Sequence, residues 1–213
     1  LQPKITDTAR KLWELYLLLT IICAALLYFG GMDIFDAICH SLTTLASGGY
    51  STKNTSIAYW SSPVIHYIII FFMIIAGTNF SLLYGAMIRK QGKRLVQDEE
   101  FKTYLYSILG ASLVIAIGLI CTRNFEGLRS VELAFRDALF QIVATMTTTG
   151  FCTSDYMSWH PILLLTILLI IPMGATAGST SGGIKIIRLH IVAKNIFYEF
   201  KRVMHPKAIR PVR

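Results

Sequence analysis

The sequence carries little charge. Only 15% of its 213 residues are Asp, Glu, Lys or Arg, whereas a soluble domain carries about 25%. Hydrophobic residues make up 54% of the chain, and the mean hydropathy is +0.57. They are gathered in long blocks, near or above the roughly 18–20 residues that a helix needs to cross a bilayer. This composition argues against a soluble domain and predicts an all-α membrane protein.

Patterns for several other kinds of chemistry are missing from the sequence. The four cysteines lack Cys-x-x-Cys spacing and are interpreted as small apolar residues. The five histidines show no metal-ligand spacing, and we find no paired acids or Ser–His arrangement at membrane depth. An intramembrane enzyme is therefore disfavoured. The net charge of +8 comes without zinc-finger spacing or RNA-binding aromatic motifs, so no nucleic acid partner is predicted.

The apolar blocks alternate with short helices and loops. Long apolar blocks cover residues 13–31, 63–87 and 104–121, and a fourth begins at Pro161 and is broken at 172–174 and 178–183. Two predicted helices, 33–45 and 133–147, are too short to span, and each runs into a loop that contains glycine. Because the chain begins with Leu1 and has no cleavable signal pattern, we expect a piece of a longer polypeptide.

The two halves of the chain repeat one pattern. Four residues of the first half match residues 101 positions further on: Asp36/Asp137, Thr44/Thr145, Gly49/Gly150 and Tyr50/Phe151. Four more match residues 98 positions further on: Pro63/Pro161, Thr78/Thr176, Ser81/Ser179 and Gly85/Gly183. The pattern predicts two copies of a unit that consists of a span, a short pore helix, a loop and a span, abbreviated M1–P–M2. The predicted units are residues 1–95 and 96–213. Asp36 and Asp137 are expected near the starts of the two short helices, where capping and the helix dipole explain them. The alternative is that they attract cations on the external side.

The charges support a topology in which each short helix enters and leaves the membrane on one side. Both termini and the central linker then share one face, which holds 16 of the 20 basic residues and six acids. The other face holds four basic and six acidic residues. Under the positive-inside rule the basic face is cytoplasmic, so both termini are predicted to lie in the cytoplasm.

The loop chemistry favours cation binding. A dehydrated cation needs oxygen ligands, which backbone carbonyls and hydroxyl groups supply without fixed charge, and glycine permits the backbone angles that align successive carbonyls. The candidate K⁺ filter residues are uncharged and lie after the two short helices: Ser47, Gly48, Gly49, Thr148, Thr149 and Gly150. The alternative interpretation is that each loop merely caps its helix. Two copies at matching places favour a filter.

A second signal lies in the last apolar block and its counterpart. The run from Gly174 through Gly178 to Gly183 weakens a membrane helix and predicts a hinge or a close helix contact. Lys185 and Arg188 follow it. Either one lines the pore, or both mark the cytoplasmic end and reach toward its surface. Asn79, in the matching stretch of the first unit, either bonds across to freed backbone or lines the pore.

Three motifs resemble the TrkH/KtrB family of potassium uptake proteins. They are Leu42–Thr52, Met146–Phe151 and Ala177–Lys185, and His205-Pro206 is similar to the TrkH branch. The resemblance implies a K⁺-channel-like fold with four M1–P–M2 units around one pore, of which this chain is the third and fourth, or half of a pseudo-four-fold pore. Gly49 and Gly150 then match filter glycines, and the stretch from Gly77 to Ser81 matches an intramembrane gate. Lys185 or Arg188 matches a positive charge under the filter.

The same resemblance implies cargo, partners and location. K⁺ is the transported ion, and the remaining two units of the same chain complete the pore. We expect a homodimer in the inner (cytoplasmic) membrane of a bacterium or archaeon, gated by a cytosolic nucleotide-binding ring subunit. The basic face suits that subunit or anionic lipid of the bilayer equally well. The alternative function is a membrane-embedded interaction or sensor subunit with non-conducting loops.

Overall fold

The computed structural model describes residues 5–88, 92–123 and 128–204, and these are almost entirely helical. No strand occurs within these ranges, and the one β-type pairing among them is an isolated bridge between Met173 and Ile184. The all-α prediction is confirmed. The helices are α1 (Ile5–Phe29), α2 (Ile34–Leu45), α3 (Pro63–Ala76), α4 (Phe80–Met87), α5 (Gly92–Gln97), α6 (Glu99–Arg123), α7 (Leu128–Met146), α8 (Pro161–Ile170) and α9 (Ile186–Met204). His205 and Pro206 lie outside the described residues.

The first unit consists of α1 to α4. Within α1, the stretch Ala9–Phe29 is long and apolar enough to cross a membrane. The short helix α2 packs against it and begins after Asp33, whose carboxylate accepts a hydrogen bond from the backbone N–H of Phe35 at 3.3 Å. Because this bond satisfies an N–H that has no partner within the helix, Asp33 fixes the helix start. Pro63 opens α3, where its missing N–H costs nothing.

The second apolar block is one sequence run but two helices. A break at residues 77–79 separates α3 from α4, and the two helices are bent by 108°. The side chain of Asn79 accepts hydrogen bonds from the backbone N–H groups of Ser81 at 2.8 Å and Leu82 at 3.4 Å. Asn79 therefore caps α4 by bonding to the backbone N–H groups that the break leaves without partners at the start of its own helix.

The second unit repeats the arrangement of the first. Helix α6 contains the second stretch that can span alone, Glu99–Thr122, and α7 packs against it as α2 packs against α1. The pore helix α7 starts five residues earlier than the sequence predicted. Asp137 therefore lies in the middle of α7, and the explanation of this residue by a helix start is wrong. Its carboxylate instead accepts a hydrogen bond from the Thr153 hydroxyl at 3.2 Å.

Two features place the two units against each other. Helix α3 packs against both pore helices, α2 and α7, so the second span of the first unit joins the units. The last span is interrupted by residues 171–185, here called the glycine-rich segment, which separates α8 from α9. The central linker between the two units contains the short helix α5, and its residue Glu100 belongs to α6.

Candidate ion-conducting site

The loops after the two pore helices have the same backbone conformation. Ser47 and Thr148 adopt positive φ angles of 52° and 53°, and Gly49 and Gly150 adopt 68° and 82°. The turn is closed in the same way as well, because the N–H of Ser47 donates to the carbonyl of Thr44, and the N–H of Thr148 to that of Thr145. Left-handed angles are costly for residues with side chains. Matching angles at positions 101 residues apart therefore support the repeat inferred from the sequence.

The two loops meet. A β-carbon added at Gly49 would overlap the carbonyl oxygen of Thr149, so only glycine permits this approach of the two backbones. Two further bonds join the units next to the loops. The N–H of Ala58 donates to the carbonyl of Cys152 at 3.0 Å, and the N–H of Cys152 donates to the hydroxyl of Ser56 at 3.3 Å. The structure thus brings the six candidate filter residues into one place.

The loops present backbone oxygens that the protein itself does not use. Within the described ranges, five of the six candidate residues have carbonyl oxygens that accept no hydrogen bond: Ser47, Gly48, Gly49, Thr148 and Thr149. The sixth, Gly150, has only a weak contact of 4.0 Å with the thiol of Cys152. Backbone carbonyls are ordinarily paired. A run of unpaired carbonyl oxygens is the type of ligand that potassium-channel filters present to a dehydrated cation.

In each pore helix, a carboxylate bonds to a residue that follows the candidate filter loop. Asp36 accepts a hydrogen bond from the Thr52 hydroxyl at 2.6 Å and pairs with Lys53 at 3.2 Å. The bond between Asp137 and Thr153 repeats this arrangement in the second unit. The hydrogen bond from Thr52, together with Lys53, lowers the pKa of Asp36 against the opposing effect of burial. Asp36 therefore stays ionised and anchors the loop.

His40 is a support that the sequence reasoning missed. It is buried in α2, where its Nδ1 atom lies 2.7 Å from the carbonyl oxygen of Asp36 and its Nε2 atom 2.9 Å from the hydroxyl of Ser51. Its ring lies 5.0 Å from that of Trp60 and 6.0 Å from that of Phe151 in the other unit. His40 thus fixes its own loop and contacts the next one. Its partner Ser51 lies eleven positions further on and beyond the loop, so no local spacing marks this role in the sequence.

The glycine-rich segment lies against both loops. The hydroxyl of Thr180 is 2.9 Å from the hydroxyl of Ser47, and the N–H of Gly182 donates to the hydroxyl of Thr148 at 2.7 Å. The break in the last span therefore touches the equivalent residue of each loop.

The same segment bonds to the break between α3 and α4. Both the N–H and the hydroxyl of Thr176 donate to the carbonyl of Gly77, at 3.1 and 3.0 Å, and the hydroxyl of Thr180 donates to the carbonyl of Ala76 at 3.1 Å. The N–H of Phe80 donates to the carbonyl of Gly178 at 3.1 Å. The two breaks thus satisfy backbone groups that each loses by interrupting a helix.

The glycines predicted to take part in gating allow this packing. A β-carbon at Gly77 would overlap the hydroxyl of Tyr104, and one at Gly174 would overlap the carbonyl oxygen of Gly182. Gly178 has a φ of +73° and faces the side chain of Asn79. The structure therefore brings Gly77, Asn79 and Gly178 together between the two spans, whereas Gly174 lets the glycine-rich segment fold onto itself.

Lys185 and Arg188 have different surroundings. The ammonium group of Lys185 donates to the hydroxyls of Ser179 at 3.3 Å and Ser181 at 3.1 Å, and to the carbonyl of Ser181. It is half-buried and bound to the glycine-rich segment, whereas Arg188 is exposed on α9. Of the two basic residues, Lys185 is the one held at the candidate site.

Several residues of this network were not identified from the sequence. They are mainly hydroxyl-bearing residues and one acid: Thr176, Ser179, Thr180, Ser181 and Glu100. Thr176 and Ser179 had a signal, since they match Thr78 and Ser81 in the repeat. Glu100 had none, because acids at the start of a helix are expected to interact with its dipole.

Together, these observations define a class. The chain is a membrane protein with two M1–P–M2 units, whose pore loops meet and are backed by interrupted second spans. The family described as TrkH, cation transport protein, matches residues 1–213. The chain belongs to this family.

Relatives and a solved structure agree with the assignment. The Trk system potassium uptake protein TrkH of Escherichia coli K12 is 38% identical over the whole chain, and TrkH of Halomonas elongata is 34% identical. The crystal structure of the potassium transporter TrkH from Vibrio parahaemolyticus matches the whole chain with a TM-score of 0.93 and 35% identity. The chain covers 44% of the E. coli protein, 43% of the Halomonas protein and 45% of the Vibrio chain. It thus spans less than half the length of these relatives.

Proposed function

We propose that this chain forms half of a potassium uptake pathway and that K⁺ passes the junction of the two pore loops. The observation that carries the proposal is the meeting of Gly49 with Thr149, at which successive carbonyl oxygens have no partner within the described residues. Such oxygens replace the hydration shell of a cation without fixed charge. The potassium uptake named for the relatives supports the choice of ion.

The proposal includes the rest of the assembly. Residues 1–95 act as the third and 96–213 as the fourth M1–P–M2 unit, and two further units of the same polypeptide close the pore. The complete protein is a homodimer in a bacterial or archaeal inner membrane, with the basic face and both termini in the cytoplasm. A cytosolic nucleotide-binding ring subunit regulates it. The excess of basic residues on the predicted cytoplasmic face supports this orientation.

Substitutions of glycine test the pathway in the full-length protein. We expect Gly49→Ala and Gly150→Asp to abolish rubidium and potassium uptake in cells that lack their own potassium uptake. Gly49→Ala introduces a β-carbon that overlaps Thr149, and Gly150→Asp places a charged side chain at a φ of +82°. The control is Gly85→Ala in α4, where no atom lies within 4 Å of the added carbon and alanine favours the helix.

The outcomes separate the two functions considered. Loss of uptake in both loop variants, with normal amounts of protein in the membrane and normal uptake by Gly85→Ala, supports conduction through the loops. Normal uptake by Gly150→Asp contradicts the proposal. If the unchanged protein transports neither ion, the alternative of an interaction or sensor subunit is favoured.

A further inference from the structure

A carboxylate at the start of α6 reaches the glycine-rich segment. Oε1 of Glu100 accepts a hydrogen bond from the backbone N–H of Ala177 at 2.7 Å, between residues 77 positions apart. Ala177 lies in non-helical backbone, so its N–H has no partner of the kind a helix provides. Bonds from an N–H to an ionised carboxylate are short and about twice as strong as neutral ones.

The start of α6 is itself fixed. Oδ1 of Asp98 accepts a hydrogen bond from the N–H of Phe101 at 2.8 Å, which caps the helix and sets the direction of the Glu100 side chain. Helix α5 packs against both α4 and α6. The linker between the two units therefore ends directly at the residue that contacts the glycine-rich segment.

Ala177 lies between residues that contact the first break and a pore loop. Thr176, its neighbour, bonds to Gly77, and Thr180 bonds to Ser47 three residues further on. Glu100 also lies close enough to Lys185 for the opposite charges of the two side chains to interact. A displacement of Glu100 would thus act on a segment that contacts both the first break and the loops.

We infer that Glu100 is a positioning residue that holds the glycine-rich segment against the pore loops and couples the linker between the units to the ion pathway. The inference rests on the proposed function. Because Glu100 does not touch the candidate filter itself, its removal should change the rate of transport and leave the affinity for the ion unaltered.

The chain offers a matched control in the preceding residue. Glu99 shares the first turn of α6 and the same charge, but its side chain is exposed and makes no hydrogen bond or ion pair with any described residue. Glu100→Gln, Glu100→Ala, Glu99→Gln and Glu99→Ala are made in the full-length protein, in cells that lack potassium uptake. Maximal rate and KM for rubidium are measured and divided by the amount of protein in the membrane.

We expect the maximal rate of uptake to fall in the Glu100 variants only, and to fall further in Glu100→Ala than in Glu100→Gln. Glu100→Gln keeps an acceptor oxygen and should lower the maximal rate about threefold, whereas Glu100→Ala should lower it about tenfold. KM should stay within about twofold in both, and both Glu99 variants should match the unchanged protein.

Two results would overturn the inference. One is that Glu100→Gln transports as fast per molecule as Glu99→Gln, and this comparison holds even if Glu100→Ala fails to accumulate. The other is that KM rises as strongly as the rate falls, which would place Glu100 in ion binding. Absence of uptake by the unchanged protein would instead refute the proposed function, so the two failures are distinguishable.

Discussion

At the scale of single residues, the loops depend on a few charged and hydroxyl-bearing side chains. Asp36 illustrates this, since one carboxylate holds both Thr52 and Lys53. The hydrogen bond from Thr52 lowers its pKa. A carboxylate whose pKa is lower in the folded than in the unfolded protein contributes stability above the unfolded pKa, about 3.9 for Asp. That contribution is lost as the pH falls through the folded pKa.

The first prediction follows from the lowered pKa of Asp36. We expect Thr52→Val to lower the free energy of unfolding by about 1 kcal/mol at pH 7, because the ionised carboxylate loses a donor. The deficit relative to the unchanged protein should shrink as the pH falls below about 4, because Asp36 becomes protonated first in the variant and, at lower pH, in the unchanged protein. Unfolding of the purified full-length protein in detergent, followed from pH 7 to pH 3, measures it.

The control for this measurement is Thr55→Val. Thr55 lies three residues further on, is exposed, and its side chain makes no capping hydrogen bond. It should leave stability unchanged at every pH. A deficit of Thr52→Val that stays constant down to pH 3 would show that the charge of Asp36 is not what Thr52 stabilises.

At the scale of helices and their interruptions, the two second spans stabilise each other. Each break frees backbone groups that need partners where water is scarce. Thr176 supplies two hydrogen bonds to the carbonyl of Gly77 and is buried. The breaks are thus one structural element made from two parts of the chain.

The second prediction concerns Thr176→Val. The change keeps the shape of the side chain and removes only the hydroxyl, so we expect a loss of about 1 kcal/mol in the free energy of unfolding. Thr166→Val is the control, because the Thr166 hydroxyl bonds only within its own helix, to the carbonyl of Ile162 at 3.0 Å. Thermal unfolding of the two full-length variants gives the comparison, and equal losses would contradict a special role for Thr176.

The sequence was informative about elements and less so about contacts between them. The spans, the two short helices and the break in the last span followed from hydropathy, glycine and repetition, because these are local properties of the chain. The break at 77–79 lies inside one continuous apolar run, and only the family resemblance indicated it. The start of α7 was missed by five residues, since Arg129 and Glu132 interrupt the apolar pattern in its first turns. The bonds of His40, Thr180 and Glu100 join distant positions, and nothing local marks them.

At the scale of the whole molecule, equivalent residues of the two units should make equivalent contacts with the unit that precedes each of them. Phe151 of the second unit is buried and lies 6.0 Å from the ring of His40 in the first unit. Tyr50 is its counterpart in the first unit, yet its side chain is 79% exposed in this chain. The same rotation that places the second unit beside the first would place a preceding unit beside Tyr50. We therefore expect Tyr50 to be buried by a preceding unit in the full-length protein.

The last prediction tests this packing. If Tyr50 is buried against a preceding unit, Tyr50→Ala should lower the free energy of unfolding of the full-length protein by about 3 kcal/mol, the range for aromatic side chains removed from a core. Tyr106 is similarly exposed, at 71%, on the spanning helix α6, and it serves as the control. Tyr106→Ala should change stability by less than about 1 kcal/mol, as is usual for surface positions. Unfolding in detergent measures both variants.

Equal small losses would mean that Tyr50 stays exposed and that the units are not arranged by one repeated rotation. A large loss at Tyr50 alone would instead support a preceding unit that covers Tyr50 as the first unit covers Phe151.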